Sequence, residues 1–503
     1  MKTIQLLKSA FICSGVVILL SSCSPKESKL AWEKKLYAIG SQSSPRTRDL
    51  NQDGILDIVM GAARSENQYT EQGILAINGK TGDLLWQQEA NDQVVGSATF
   101  YDITNDGVDD VFIGGRSPNL KALDGTNGDV LWEYKYTFEN DSILKHARFN
   151  FYNSVLVPDQ DQDGYPELLV VNGGNVKAAP HSEINRFPGV LMMLNSKTGQ
   201  IMAADTMPDG KESYMSPLCF SQPGSNELNI VFGTGGETIS GNLYLARLSD
   251  LLDGKLSKAI VIATQNGHGF IAPPVLADIS EDGRYDIIAI SHGSTVFAID
   301  GNDRQLLWKR SIDNTESSNS FAVGYFTSDN IPDFFTFVSE GQWPNSTRAF
   351  QVMLNGKNGQ IAYLDSMGCV GFSSPVVYDL NRDGIDEAIF SLHDYDCKRK
   401  YTDPGKLDVK VELMAIDFSN HSVNSIDRLK GFKNAFSTPW IGDLDNDGYL
   451  DIIHCQYYSP NSDLLSFLGM NVKRIDTHFR AKKPPLWGAY MGSNGDGLFP
   501  IQQ

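Results

Sequence analysis

The sequence predicts an all-β chain: an eight-bladed ring of four-stranded sheets, a β-propeller, with cation-binding loops between the first two strands of its blades. A seven-bladed ring is the alternative. Three observations point there. A nine-residue oxygen-rich loop recurs with fixed offsets, a hairpin recurs between successive loops, and an N-terminal segment matches the ends of those hairpins.

The loop first occurs at Asp49, Asn51, Asp53, Ile55 and Asp57, with Gly54 at its sixth position and the apolar pair Ile58-Val59 after it. It returns as Asp102, Thr104, Asp106, Val108 and Asp110, then as Asp159, Asp161, Asp163, Tyr165 and Glu167. Later copies are Asp278, Ser280, Asp282, Arg284 and Asp286; Asp379, Asn381, Asp383, Ile385 and Glu387; and Asp443, Asp445, Asp447, Tyr449 and Asp451. Side-chain oxygens at positions 1, 3, 5 and 9, a carbonyl at 7 and a turn-forming Gly at 6 suit a hard cation that takes six to eight oxygens. Calcium is the expected cofactor, at about six structural sites. An EF-hand would put a bidentate Glu at position 12 and helices on both sides; here position 12 of the first loop is Met60 and strand-like runs follow. Two degenerate copies, at 221–229 and 325–333, fill the gaps in the series. The first has lost its acids and is expected to be empty, and the second keeps Thr327, Asp329 and Asp333.

The hairpin reads Gly73-Ile74-Leu75-Ala76-Ile77-Asn78-Gly79-Lys80-Thr81-Gly82-Asp83-Leu84-Leu85-Trp86, and again from Leu120 to Trp132. Apolar alternation around a Gly/Asn/Asp turn is a hairpin signal. Each repeat therefore supplies four strands, here A to D: A, cation loop, B, variable loop, C, tight turn, D. Leu30-Ala31-Trp32-Glu33 matches the D-strand endings Leu85-Trp86-Gln87, Leu131-Trp132-Glu133 and Leu307-Trp308-Lys309, yet precedes the first A strand. That places it as the outer strand of the last blade, hiding an exposed sheet edge.

The chain has 503 residues with 42 Lys+Arg against 61 Asp+Glu, a net charge of -19. Carboxylates of the loops account for most of that excess, so the acidity reads as local chelation. It also argues against a nucleic-acid partner, which needs clustered Lys and Arg. Residues 1–22 read as an export signal, with Lys2 and Lys8 before an apolar stretch, and Leu20-Ser21-Ser22-Cys23 resembles a bacterial lipobox. The expected organisation is a signal peptide at 1–22, a segment at 23–40 lipid-anchored through Cys23 and supplying the closing strand, the propeller at 41–475, and a C-terminal tail at 476–503. The anchor implies the bacterial cell envelope, with Ser24 favouring the outer membrane.

The oxygen loop with its following strand resembles FG-GAP repeats of the integrin α-chain type, and the hairpin is similar to PQQ-like propeller repeats. Together they span about residues 40 to 470. Tail residues Trp487 to Gly497 resemble a W-x-x-x-R-G-x-N-G-D-G segment of PQQ-like proteins, with Met491 in place of the Arg. The FG-GAP resemblance implies a non-catalytic binding or scaffold module for an envelope protein or glycan. Some polysaccharide lyases resemble the same pattern, which makes a carbohydrate-active enzyme the alternative. A quinone-dependent dehydrogenase is the weaker alternative, as the adjacent-cysteine pair of many such enzymes is absent.

The A–B loops are short and uniform, whereas the B–C and D–A loops, on the other face, are long and irregular. Binding residues are therefore expected on the irregular face. His146, Arg148, His181, Arg186, Tyr214, His268, Trp343 and His393 are its candidate ligand residues. No catalytic residue is assigned. Cys369 and Cys397 share one blade's loops on that face and form a candidate disulfide.

Overall fold

The computed structural model describes residues 28–342, 346–369, 371–394, 409–459 and 466–501. The described residues form eight antiparallel sheets. In the first blade Arg46–Arg48, Asp57–Gly61, Thr70–Ile77 and Leu84–Ala90 pair in that order. The pattern repeats through residues 99–133, 150–206, 218–265, 275–311, 315–365 and 376–430. The eighth sheet runs Trp440–Gly442, Tyr449–Tyr458, Gly469–Arg480 and then Lys29–Tyr37, with Trp32 opposite Arg474. The N-terminal strand thus covers the edge of the last sheet and joins the two ends of the chain.

Burial follows strand position. B strands lie between two neighbouring blades and are apolar on both sides, so Asp57–Gly61 and Asp286–Ile290 are buried throughout. D strands face solvent at the rim and alternate, as Leu84–Ala90 does. The C–D pairs of the first seven blades each carry a bulge, for example between Ala76 and Ile77, and the turns place a residue in the left-handed region, Gly82 at φ +77° in the first blade but Arg304 in the fifth and His421 in the seventh. The D-strand tryptophan of one blade packs on the C–D turn of the next. The indole N–H groups of Trp86, Trp132 and Trp308 donate to the carbonyls of Gly125, Ser196 and Gly356 at 2.6 to 2.8 Å. A Cβ on Gly128, Gly199 or Gly359 would lie within 2.7 Å of the ring above it.

Asp476 to Arg480 belong to a twelve-residue strand, so the tail starts at Ala481 and not at 476. The extension past Asp476, where pairing with the N-terminal strand ends, rests on the strand Tyr449–Tyr458, with Arg480 opposite Tyr449 across an irregularity. Beyond it the chain enters the ring from the side of the oxygen-rich loops, where the Ala481 N–H donates to the Gly448 carbonyl. It then crosses the inner strands. Trp487 accepts from the Val377 N–H, Gly488 from Ile441 and Gly497 from Leu276, while the Arg46 guanidinium donates to the carbonyls of Gly492 and Tyr490. Trp487, Met491 and Phe499 are buried in this position. The tail therefore fills the central channel. Among the described residues no helix is long and apolar enough to cross a membrane.

Candidate functional site

Each oxygen loop is shaped by its own side chains. The first acid accepts the N–H of the sixth-position Gly: Asp49 from Gly54, Asp102 from Gly107, Asp159 from Gly164, Asp278 from Gly283, Asp379 from Gly384 and Asp443 from Gly448, all at 2.9 to 3.2 Å. Those glycines sit at φ between +77° and +90° with open space where a Cβ would be, so conformation and not room demands Gly. The fifth-position acid accepts the N–H of position 7, as Asp53 does from Ile55 and Asp163 from Tyr165.

The ninth-position acid is buried and does a second job. Asp57 accepts the Leu50 N–H on one oxygen and the Gly79 N–H of its own C–D turn on the other, both at 3.0 Å. Asp110 does the same with Ile103 and Gly125, and Asp286 with Ile279 and Gly301. Burial first, and then the charges of neighbouring acids, raise the carboxyl of Asp57 to about 6 and that of Glu387 to about 8. A cation at the loop would relieve that repulsion, so the donor set fits one. Ligand oxygens of Asp159, Asp161 and Glu167 lie within 4.8 Å of one another, as do those of Asp443, Asp445 and Asp451.

The last loop already holds a positive charge. Arg474, from the neighbouring strand, donates through Nε to Asp451 at 3.0 Å and pairs with Asp445. In the degenerate loop at 325–333, Asp333 keeps the keystone contacts with Thr327 and Gly356, while the Tyr325 N–H is taken by Asp386 of the next blade.

On the irregular face the B–C and D–A loops surround a cavity of about 600 Å³, with Tyr490 of the channel-filling tail in its wall. His181, Arg186, Tyr214 and His268 all line it. Glu212 is buried beside it and ion-paired with Arg186; burial raises its carboxyl and Arg186 opposes that rise. The rings of Tyr152 and Tyr214 lie 6.3 Å apart, and burial pushes both phenols up. Arg116 is held by Glu66 at 2.8 Å. His292 and Glu316 complete one wall; neither carried a sequence signal, because they come from separate, non-repeating connections.

His146 and Arg148 lie apart, in a shallow groove with Phe187, where the Arg148 guanidinium sits 4.6 Å from the ring centre. His393 is a correction. It lies inside the long strand Glu387–Asp394, is 1 % exposed, and its Nε2 accepts the Asn434 N–H, so it belongs to the blade interior and not to the ligand face. Trp343, Cys23 and Cys397 lie outside the described residues. Cys369 is disulfide-bonded, and Cys219 and Cys455 are free and buried. A Ser391–His454 contact of 2.7 Å resembles a nucleophile and base, yet both side chains are buried between blades, Ser391 1% and His454 0% exposed.

A PQQ-like family model described as outer membrane protein assembly factor BamB matches residues 19–207. No curated protein matches the chain. Among solved structures, a europium-containing methanol dehydrogenase aligns over 89% of this chain and 93% of its own at 10% identity and TM-score 0.57. The quinohemoprotein alcohol dehydrogenase of Comamonas testosteroni aligns over 91% and 78% at 11% identity and TM-score 0.53. BamB from Moraxella catarrhalis aligns over 89% and 98% at 13% identity and TM-score 0.48. The shared feature is the fold. The chain is an eight-bladed β-propeller.

Proposed function

We propose that this protein is a calcium-stabilised, lipid-anchored propeller that binds a glycan at the bacterial cell envelope through the cavity on its irregular face, without catalysing a reaction. The observation that carries this reading is the cavity itself. Its volume lies in the range of ligand sites, its wall combines tyrosine rings with paired charges, and the loops forming it stand on a rigid ring whose channel the tail fills. Aromatic faces suit the apolar faces of sugar rings, and Arg186, Glu237 and the surrounding amides suit hydroxyl groups.

The oxygen loops are assigned the structural role. Asp49, Asn51, Asp53, the Ile55 carbonyl and Asp57, with the equivalent residues of the other loops apart from the last, where Arg474 already supplies positive charge, would hold calcium, which would supply charge neutralisation where carboxylates are crowded. Cys23 is assigned the lipid anchor and the outer membrane the location.

The test is a glycan array and calorimetry on the mature protein in calcium. Binding that weakens in Tyr214→Ala and His181→Ala supports the reading. Release of unsaturated sugar products from a polysaccharide would overturn it in favour of a lyase. The family-model match over residues 19–207 favours a second reading, a protein partner at the outer membrane. Co-purification of one envelope protein, abolished by the same two substitutions, would establish that one.

A further inference from the structure

We propose that His268, His292 and Glu316 form a binding site for a divalent transition-metal ion in the wall of the cavity, separate in position and chemistry from the oxygen loops. The three side chains come from consecutive connections of the irregular face: His268 precedes the strand Val275–Ala277, His292 lies between Asp286–Ile290 and Thr295–Ile299, and Glu316 ends the two-residue strand Thr315–Glu316. One potential ligand atom from each lies within 4.8 Å of the other two. The imidazole centres are 5.6 Å apart, and His292 Nε2 is 3.4 Å from Glu316 Oε2.

The second independent observation is His292 itself. It is 4 % exposed, and its Nε2 takes part in no hydrogen bond. A buried ring nitrogen facing a carboxylate and a second imidazole, with their ligand atoms within 4.8 Å of one another, is a donor set suited to a cation.

The outer contacts fix the ring orientations as metal sites require. His268 Nδ1 is 2.6 Å from the Glu237 carbonyl oxygen, which can accept but not donate, so the proton is on Nδ1 and the lone pair is on Nε2. Ser318 Oγ sits 3.3 Å from His292 Nδ1 and, as a hydroxyl that can accept the Nδ1 proton, is compatible with a free lone pair on Nε2. Backbone bonds clamp the three segments together: the His292 N–H donates to Gly269 and the Ser317 N–H to His292, at 2.9 and 2.8 Å. Gly293 has no Cβ because one would stand 2.8 Å from the His268 ring. Two imidazoles and one carboxylate select zinc, manganese, cobalt or iron(II) over calcium, and leave positions open toward the cavity for water or a ligand oxygen.

The experiment is titration of the purified mature protein with Co²⁺ in the presence of excess Ca²⁺, which saturates the oxygen loops, followed by optical absorption and calorimetry. One Co²⁺ per chain is expected, with visible d–d bands. His292→Ala, His268→Asn and Glu316→Gln should each abolish the bands, and Ser318→Ala should weaken binding about tenfold. His181→Ala, on the same cavity, should leave them intact. His268→Asn guards against failure to fold, since His268 is the less buried of the two imidazoles and its fold can be checked by melting. Absent Co²⁺ binding, or bands that survive both His268→Asn and His292→Ala, would overturn the proposal and assign His292–Glu316 to a plain ion pair. Glycan binding is measured separately, so its failure leaves this result unaffected.

Discussion

The indole N–H of Trp32 donates to the carbonyl of Gly79 at 2.8 Å, and the Trp32 ring covers Gly82, where a Cβ would lie 2.8 Å from it. Trp32 belongs to the N-terminal strand and Gly79 to the first blade, so this contact crosses the seam of the ring. The same geometry joins Trp86 to Gly125 and Trp308 to Gly356 within the continuous chain. Gly79 also donates its N–H to the buried Asp57, which links seam, hairpin and oxygen loop in one chain of hydrogen bonds. A Cβ on Gly79 would meet the Leu56 carbonyl oxygen at 1.9 Å, so no other residue fits there.

Removing the seam tryptophan should therefore open the ring. Trp32→Ala is expected to cost about 3 to 5 kcal/mol, the usual range for a buried Trp. Trp32→Phe, which loses mainly the N–H bond, should cost about 1 kcal/mol more than simple loss of ring area. Denaturant midpoints check both, and equal midpoints for wild type and Trp32→Ala would show that the seam does not limit stability.

Arg474 acts as the resident cation of the last loop. Arg474→Gln leaves Asp451 buried without its charge partner, which should destabilise by about 3 kcal/mol in the presence of EGTA. Adding calcium should recover part of that loss and raise the bound calcium by one ion per chain. Metal analysis after dialysis measures it.

The Arg186–Glu212 pair beside the cavity makes a similar demand. Glu212 is fully enclosed, so Arg186→Met should destabilise by about 3 to 5 kcal/mol, and Arg186→Met with Glu212→Gln should recover much of it. Thermal melting of these two variants beside the wild type separates this from ligand binding.

Stability should fall in mild acid because of two sealed histidines. Burial holds His393 down to about 3 and His454 to about 4, with Lys433 also lowering the former. His454 shares its surroundings with Ser391, Gln456, Asp427 and Lys473. Both remain neutral in the folded chain while the unfolded chain takes up protons below about 6.5. The unfolded state then binds more protons, so each histidine removes up to about 1.4 kcal/mol per pH unit as the pH falls from about 6.5 toward 4. His393→Gln, which retains an acceptor for the Asn434 N–H, should flatten that slope in denaturation curves taken across this range.

The ring was readable because its signals are local and repeated. Gly54, Gly107 and Gly164 hold the same turn, and Trp86 and Trp132 end the same strand, so offsets alone place the blades. Trp32 was legible for the same reason. The cavity was half legible: His181, Arg186, Tyr214 and His268 lie in irregular loops on the expected face, whereas His292 and Glu316 stand beside them through packing of separate connections, which no spacing encodes. His393 misled because its strand runs eight residues, Glu387–Asp394, against five in Asp57–Gly61 and Asp286–Ile290, so an apparent loop residue lies inside the sheet. Arg474 carried no signal, since its target acids lie on a neighbouring strand.

Calcium dependence of the melting temperature tests the central claim most directly. The oxygen loops are taken to hold calcium and so to stabilise the ring, each contributing about 1.4 kcal/mol when calcium is tenfold above its dissociation constant. Melting the mature protein with calcium and with EGTA, alongside metal analysis, should show several bound ions and a large drop in melting temperature on chelation, smaller in Asp49→Asn. An unchanged melting temperature with no bound calcium would contradict the account.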